Sequence, residues 1–201
     1  RATVDFSKTL DKLSITANFT NPDSNGMSLV FFGGVVTHTQ YVPIVYPITL
    51  DLTQNGLDFT PQATSTVTFD LDNDHIPDRT AWVAPDDGLL AYDANHDGRI
   101  TLRSEFVFTD YAPDAKTDME AVRFAFDTNG DAWLSPADQD WASFGVWQDA
   151  NGNGVNDAGE FRSLDSWGIA RISLQAEGAV TTPVDGVVLH GTSPIQWVDG
   201  R

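Results

Sequence analysis

Leu13, Ile15, Ala17 and Phe19 alternate with Ser14, Thr16, Asn18 and Thr20, the period of a strand with one buried face. A turn follows over residues 21–26, and the apolar stretch 29–36 reads as a second strand, so residues 1–45 are expected to form a β-rich segment. Pro43 and Pro47 bracket Ile44, Val45 and Tyr46. A residue before proline is pushed out of the helical region, so this stretch is extended, and the boundary of the segment is placed near Tyr46.

Beyond that seam the pattern predicts strands over 48–52, 66–69 and 81–83, then helices over 117–126, 136–144 and 158–167. Pro136 suits a first helical turn, where its missing N–H is no loss. Residues 169–174 and 186–189 read as closing strands, which makes the class α+β. The expected organisation is a β-rich segment over 1–45 and a second module over 46–201.

Composition narrows the function. Hydrophobic residues make up 41% of 201, with six Trp and twelve Phe, enough for a real core. Eleven Lys and Arg against 29 Asp and Glu leave a formal charge of -18. That charge repels phosphate backbones and anionic headgroups, so neither nucleic acid nor membrane insertion is expected. No window approaches the ~18 consecutive apolar residues of a membrane span. Arg1 in place of Met, without a basic-then-apolar leader, reads as the start of a piece of a longer precursor. With no Cys, there is neither a disulfide framework nor a thiolate ligand. His38, His75, His96 and His190 share no spacing, which argues against zinc or histidine catalysis. Trp82, Trp133, Trp141, Trp147, Trp167 and Trp197 each fall on or beside an expected element, and core packing is preferred to a sugar-stacking platform.

The acid is concentrated in four runs of the form D-x-[DN]-x-[DN], beginning at Asp70, Asp93, Asp127 and Asp149. Calcium is a hard cation that takes six to eight oxygens, and an EF-hand loop supplies them from positions 1, 3, 5, a carbonyl at 7, position 9 and an acid at 12. The third run places Asp127, Asn129, Asp131, the Trp133 carbonyl, Ser135 and Asp138 on that template. The fourth places Asp149, Asn151, Asn153, the Val155 carbonyl, Asp157 and Glu160, with Gly154 at the sharp turn. In the second, Asp93, Asn95, Asp97, the Arg99 carbonyl and Thr101 fit, but Glu105 arrives one residue late. The first offers Asp70, Asp72, Asp74 and Asp78, yet His75 and Pro77 occupy the turn and no acid stands at position 12.

Asp, Asn and Gly are also ordinary turn formers, and a halophile-like surface would be acidic too. Neither alternative requires an acid at position 12, or the shared register. About three to four calcium ions are therefore expected. Helix, loop and helix around Asp127 to Asp138 would form an EF-hand-like unit, with the last two loops packed as a pair.

The string Phe69-Asp70-Leu71-Asp72-Asn73-Asp74, then Trp82-Val83, Pro85-Asp86-Asp87-Gly88-Leu89-Leu90, Asp93 to Gly98 and Val146-Trp147-Gln148-Asp149 resembles the calcium-binding module of secreted RTX proteins. More narrowly, residues 47 to about 198 resemble the self-processing module of FrpC-type RTX proteins, whose spacing the late Glu105 also matches. The resemblance implies a calcium-folded module that cleaves an Asp-Pro bond directly before itself. The Asp carboxylate attacks its own peptide carbonyl, and a lysine amine can capture the resulting anhydride. Here the matching bond is Tyr46-Pro47, and no Asp-Pro pair occurs in the chain. A phenol with a pKa of about 10 supplies no such carboxylate. At Asp51-Leu52-Thr53-Gln54-Asn55-Gly56 the family often carries a further acidic run, but Thr53 gives only a neutral oxygen and no ion is expected there.

The leading expectation is a non-catalytic calcium-binding module of a large secreted or surface-attached RTX protein. It would stay loose in the low-calcium cytoplasm and consolidate outside, where its partners are calcium and neighbouring domains of the same long chain. A calcium-triggered autoprotease cutting before Pro47 is one alternative. The other is an adhesive domain that engages a cell-surface glycan or protein through bound calcium.

Overall fold

The computed structural model describes residues 3–9, 12–18, 45, 47–71 and 76–200. The chain divides into two compact units, Arg1–Val42 and Pro43–Arg201. In the first, β1 (Thr3–Thr9) and β2 (Lys12–Asn18) form an antiparallel hairpin with Thr3 opposite Asn18. The alternation that begins at Leu13 thus lies on β2. The turn expected over 21–26, the strand over 29–36 and Tyr46 lie outside the described residues.

The second unit is built from short antiparallel sheets and few helices, an α+β arrangement. Its strands are β3 (Thr49–Leu50), β4 (Phe59–Thr60), β5 (Thr68–Phe69), β6 (Asp78–Arg79), β7 (Trp82–Val83) and β8 (Gly88–Tyr92). Helix α1 (Asp118–Ala125) precedes β9 (Trp133–Leu134), β10 (Phe144–Trp147) and β11 (Phe161–Ser163). The short α2 (Leu164–Trp167), β12 (Ile169–Ser173) and β13 (Ile195–Trp197) complete it. The largest sheet runs β11-β10-β8-β3, a second runs β13-β12-β9, and β4 with β7 and β5 with β6 form ribbons.

Two of the expected helices are mostly absent. Residues 136–140 form turns, and 141–143 a single 3-10 turn, before the chain extends into β10. Pro136, expected to open a helix, opens a turn instead, because β10 is the inner strand between β8 and β11, and a helix through Phe144 would remove it. Gly145 makes that position possible, since a Cβ there would lie 2.5 Å from the Arg162 carbonyl oxygen. Over 158–167, the stretch Phe161–Ser163 is drawn into the sheet beside β10, leaving only α2. Ser163 Oγ caps α2 by accepting the Ser166 amide at 3.3 Å, and Gly168 at φ 72° ends it. The helix expected over 117–126 is present as α1, capped by Thr117 Oγ1, which accepts the Glu120 amide at 3.2 Å. Of the strand expected over 186–189, only an isolated bridge between Thr181 and Leu189 is found.

The core gathers Leu50, Leu90, Val122, Leu134, Val146, Leu164, Ile169 and Ile172 between the two larger sheets and α1. Tyr92, Phe108, Phe126 and Phe144 pack through tilted, stacked and edge-on contacts of 4.9–6.2 Å between ring centroids. Trp82, Trp141, Trp147 and Trp197 are buried. Trp133 and Trp167 are half-buried under the guanidinium groups of Arg171 and Arg162. All six tryptophans are thus engaged in packing or cation–π contacts.

Candidate metal-binding loops

Three of the acidic runs form loops with one hydrogen-bond scheme. At position 1 a carboxylate accepts amides from positions 5 and 6 on its two oxygens. Asp93 takes those of Asp97 (3.1 Å) and Gly98 (3.0 Å), Asp127 those of Asp131 (3.1 Å) and Ala132 (2.9 Å), and Asp149 those of Asn153 (3.1 Å) and Gly154 (2.7 Å). The position-3 side chains Asn95, Asn129 and Asn151 each accept the position-5 amide at 2.9–3.0 Å. In turn Asp97, Asp131 and Asn153 accept the amides of Arg99, Trp133 and Val155 at 2.7–2.8 Å.

The backbone explains why these residue types recur. Positions 4 and 6 are left-handed in every loop: His96 and Gly98 (φ 59° and 74°), Gly130 and Ala132 (73° and 63°), Gly152 and Gly154 (67° and 71°). Such a course points successive amides inward at one carboxylate, and it favours glycine.

The closing acids complete the scheme. Asp138 accepts the amides of Thr128 at 2.8 Å and Ser135 at 2.9 Å, and Glu160 those of Ala150 at 3.1 Å and Asp157 at 3.0 Å. These are positions 2 and 9 in both loops. Glu105, one residue later in its loop, takes the position-9 amide of Thr101 at 2.7 Å and that of Leu102 at 2.9 Å on Oε2 alone. Its Oε1 is buried with no hydrogen-bond partner, on a side chain that is 0% exposed.

The first run is only partly in view. Asp70 is half-buried and Asp78 is buried on β6, opposite Phe69 of β5, while Asp72, Asn73, Asp74 and His75 lie outside the described residues.

The donors fit a hard cation. They are carboxylate, amide, hydroxyl and carbonyl oxygens, with no thiolate and no imidazole at a ligand position, a set that suits calcium and not zinc. An oxygen that accepts one N–H keeps a second lone pair. Within the three loops, the orphaned Glu105 Oε1 is a buried carboxylate oxygen that calls for a positive partner. Among the described residues, however, no three His, Asp or Glu side chains are gathered as a ready metal cluster. Asn95, Asp97, Asn129, Asp131, Asn151 and Asn153 are exposed, while Asp93, Glu105, Asp138 and Asp149 are buried. Hydrogen bonds from the Asn151 and Asn153 amides hold the Asp157 carboxyl below its usual range.

The loops are tied to each other in an unexpected pairing. The amide of Ile100, at position 8 of the second loop, donates to Asn156 Oδ1, at position 8 of the fourth, at 3.1 Å. The third loop instead gives Trp133–Leu134 to β9, which pairs with β12. The expected helix-loop-helix around Asp127 has its entering helix, α1, but turns in place of an exit helix.

Residues 48–201 match the family model of the SPM domain. The chain belongs to the SPM domain family. It is also similar to iron-regulated protein FrpA of Neisseria meningitidis serogroup C, with 34% identity over 133 residues, or 64% of this chain. The SPM chain spans only 12% of that relative's length. Residues 48–201, matched by the family model, contain all of the loops described above. Among the described residues, no helix is long and apolar enough to cross a membrane.

Proposed function

We propose that this SPM domain is a calcium-binding module of a large exported RTX protein, that calcium consolidates its fold after export, and that it does not cleave itself. The observation that carries the reading is the repetition of one oxygen-lined scheme at 93–105, 127–138 and 149–160, with a buried closing acid in two of the three. Asp93, Asn95, Asp97 and Glu105 would hold one ion with the Arg99 carbonyl and Thr101. Asp127, Asn129, Asp131, Ser135 and Asp138 would hold a second with the Trp133 carbonyl. Asp149, Asn151, Asn153, Asp157 and Glu160 would hold a third with the Val155 carbonyl. Asp70 and Asp78 are ligand candidates for a fourth.

A bound divalent cation supplies positive charge to a chain of net charge -18. Without it the loop carboxylates repel one another, and the folded state is opposed. Binding to the folded state alone stabilises it by mass action, and an extracellular module works with dissociation constants of about 0.1 to 1 mM. The chain has no Asp-Pro bond, and the residue before Pro47 is Tyr46, which is why the module is read as non-cleaving.

Thermal unfolding with millimolar calcium and with chelator tests both parts. Calcium should raise Tm by more than ten degrees and leave one band on a denaturing gel. Unchanged Tm rejects calcium binding, whereas two fragments divided at Tyr46-Pro47 reject the non-cleaving reading alone.

A further inference from the structure

Four Asn-Gly pairs lie among the described residues: Asn55-Gly56, Asn129-Gly130, Asn151-Gly152 and Asn153-Gly154. All four fall in loops that open with an Asp, and each Asn is exposed. Asn before Gly is the arrangement in which a backbone nitrogen most readily attacks the preceding side chain, because glycine has no Cβ to crowd the closing ring.

Ring closure needs Asn Cγ to turn toward the glycine nitrogen, and that nitrogen to give up its proton. In three of the pairs a carboxylate opposes the second step. Gly56 N–H donates to Asp51 Oδ2 at 2.9 Å, Gly130 N–H to Asp127 Oδ1 at 2.8 Å and Gly154 N–H to Asp149 Oδ2 at 2.7 Å. Taking the proton from an N–H bonded to an anion would leave two negative charges in contact, so the nitrogen is kept as a neutral amide. Gly152 differs. Its N–H donates to the Asp149 backbone carbonyl at 3.2 Å, a longer bond to a neutral acceptor. The side-chain amides do not separate the four pairs, since each donates through Nδ2 to a carboxylate at 2.8–3.1 Å.

We propose that Asn151 is a deamidation site of the folded chain, and that Asp51, Asp127 and Asp149 suppress the same reaction at Asn55, Asn129 and Asn153. The Gly152 nitrogen loses its proton to a solvent base and attacks Asn151 Cγ. The Cγ–Nδ2 bond breaks and ammonia leaves, which closes a succinimide. Water then opens the ring at one of its two carbonyls, giving aspartate or isoaspartate at that position with no change of oxidation state. Either product acts beyond Asn151. Asp157 Oδ2 loses the Asn151 donor and gains a neighbouring carboxylate. Isoaspartate also adds a methylene to the backbone between Asp149 and Gly154, whose hydrogen bond defines the loop. One slow, irreversible reaction thus disables the fourth loop and spares the others. The inference depends on the chain's own hydrogen bonds and not on an ion in the loops.

Peptide mapping by mass spectrometry follows amide-to-acid conversion at each Asn of the full chain, incubated in warm, mildly alkaline buffer with millimolar calcium. A parallel sample is kept in urea and chelator. In the folded chain Asn151 should convert about tenfold faster than the other three, the margin between a neutral and a charge-assisted hydrogen bond. In urea the four rates should converge. Equal rates in the folded chain overturn the assignment, as does the same order persisting in urea, which would make the flanking sequence the cause. Asp51→Ala and Asp127→Ala test suppression in separate loops. Each should accelerate its own pair, at Asn55 or Asn129, while Asn153 stays slow and shows that the fold is intact. No acceleration of the matching pair in either variant overturns the suppressing role, and so does acceleration of all four pairs in both.

Discussion

Trp82 Nε1 donates to Asp149 Oδ2 at 2.7 Å across 67 residues of chain. The acceptor is the first residue of the fourth loop and is 1% exposed. The indole packs edge-on against Trp147 at 5.4 Å and Phe106 at 6.5 Å between centroids. The first residue of the fourth loop and an aromatic cluster therefore share one hydrogen bond, so an ion bound as proposed at Asp149 would be coupled to packing.

Tryptophan emission should consequently report calcium through Trp82 and Trp147. Titration of the parent is expected to shift emission, and Trp82→Phe should remove most of the shift while calcium still binds. A hydrogen bond to a charged group contributes about 1.5–3 kcal/mol, so the variant should also unfold more easily. A titration curve unchanged by Trp82→Phe would sever this link.

The Ile100–Asn156 bond leads to a second expectation. Asn156 is buried, and its Oδ1 serves an amide of a different loop. In Asn156→Ala the Ile100 N–H is left unpaired, at a cost of about 1–3 kcal/mol. If the second and fourth loops bind ions cooperatively through this contact, the Hill coefficient of the calcium titration should fall toward unity. Retained cooperativity would place the coupling elsewhere.

These two bonds also mark the limit of what the sequence discloses. The alternation at Leu13 to Phe19, the cap at Thr117 and the register of Asp127, Asn129, Asp131 and Asp138 are local, and each could be read from a few neighbouring residues. Strand β8 went unassigned because Gly88 to Tyr92 is apolar throughout and buried on both faces, which erases the alternation. Only the first residue of strand β10, Phe144, fell inside the helix expected over 136–144, where Trp141 and Phe144 stand at helical spacing. The pairing of β3 with β8 is likewise a relation between distant segments.

Ala132 offers a test of the loop geometry itself. It holds φ 63° at position 6, where the sister loops have Gly98 and Gly154. A left-handed residue with a Cβ costs roughly 1–2 kcal/mol, while glycine adds about 0.4–1 kcal/mol of unfolded-state entropy. Ala132→Gly should therefore stabilise the calcium-free protein by about 0.5–1 kcal/mol, measured by urea denaturation. A loss of more than that amount would mean that the third loop does not share the left-handed course.

The last expectation concerns pH and Asp118. This carboxyl opens α1, is buried, and accepts the Thr109 amide on Oδ1 at 2.7 Å, while its Oδ2 has no partner. Burial raises its pKa to about 7, against a smaller opposing pull from the Thr109 and Phe108 hydrogen bonds and the Arg103 charge. Arg103 itself is engaged by Asp110. Below about pH 4 the group is protonated in both states and its titration costs nothing. Between there and pH 7 the folded chain keeps a proton that the unfolded chain has released, so stability falls as pH rises through the window. Above pH 7 the full cost applies, on the order of 4 kcal/mol for a shift of this size. Asp118→Asn abolishes the ionisation. Relative to the parent in calcium-free buffer, it should gain stability progressively from pH 4 to pH 8, by a few kcal/mol at the upper end. An Asn-minus-Asp difference in unfolding free energy that stays constant across that range would show that the carboxyl is already ionised at acidic pH, with a cation or water supplying the partner that Oδ2 lacks.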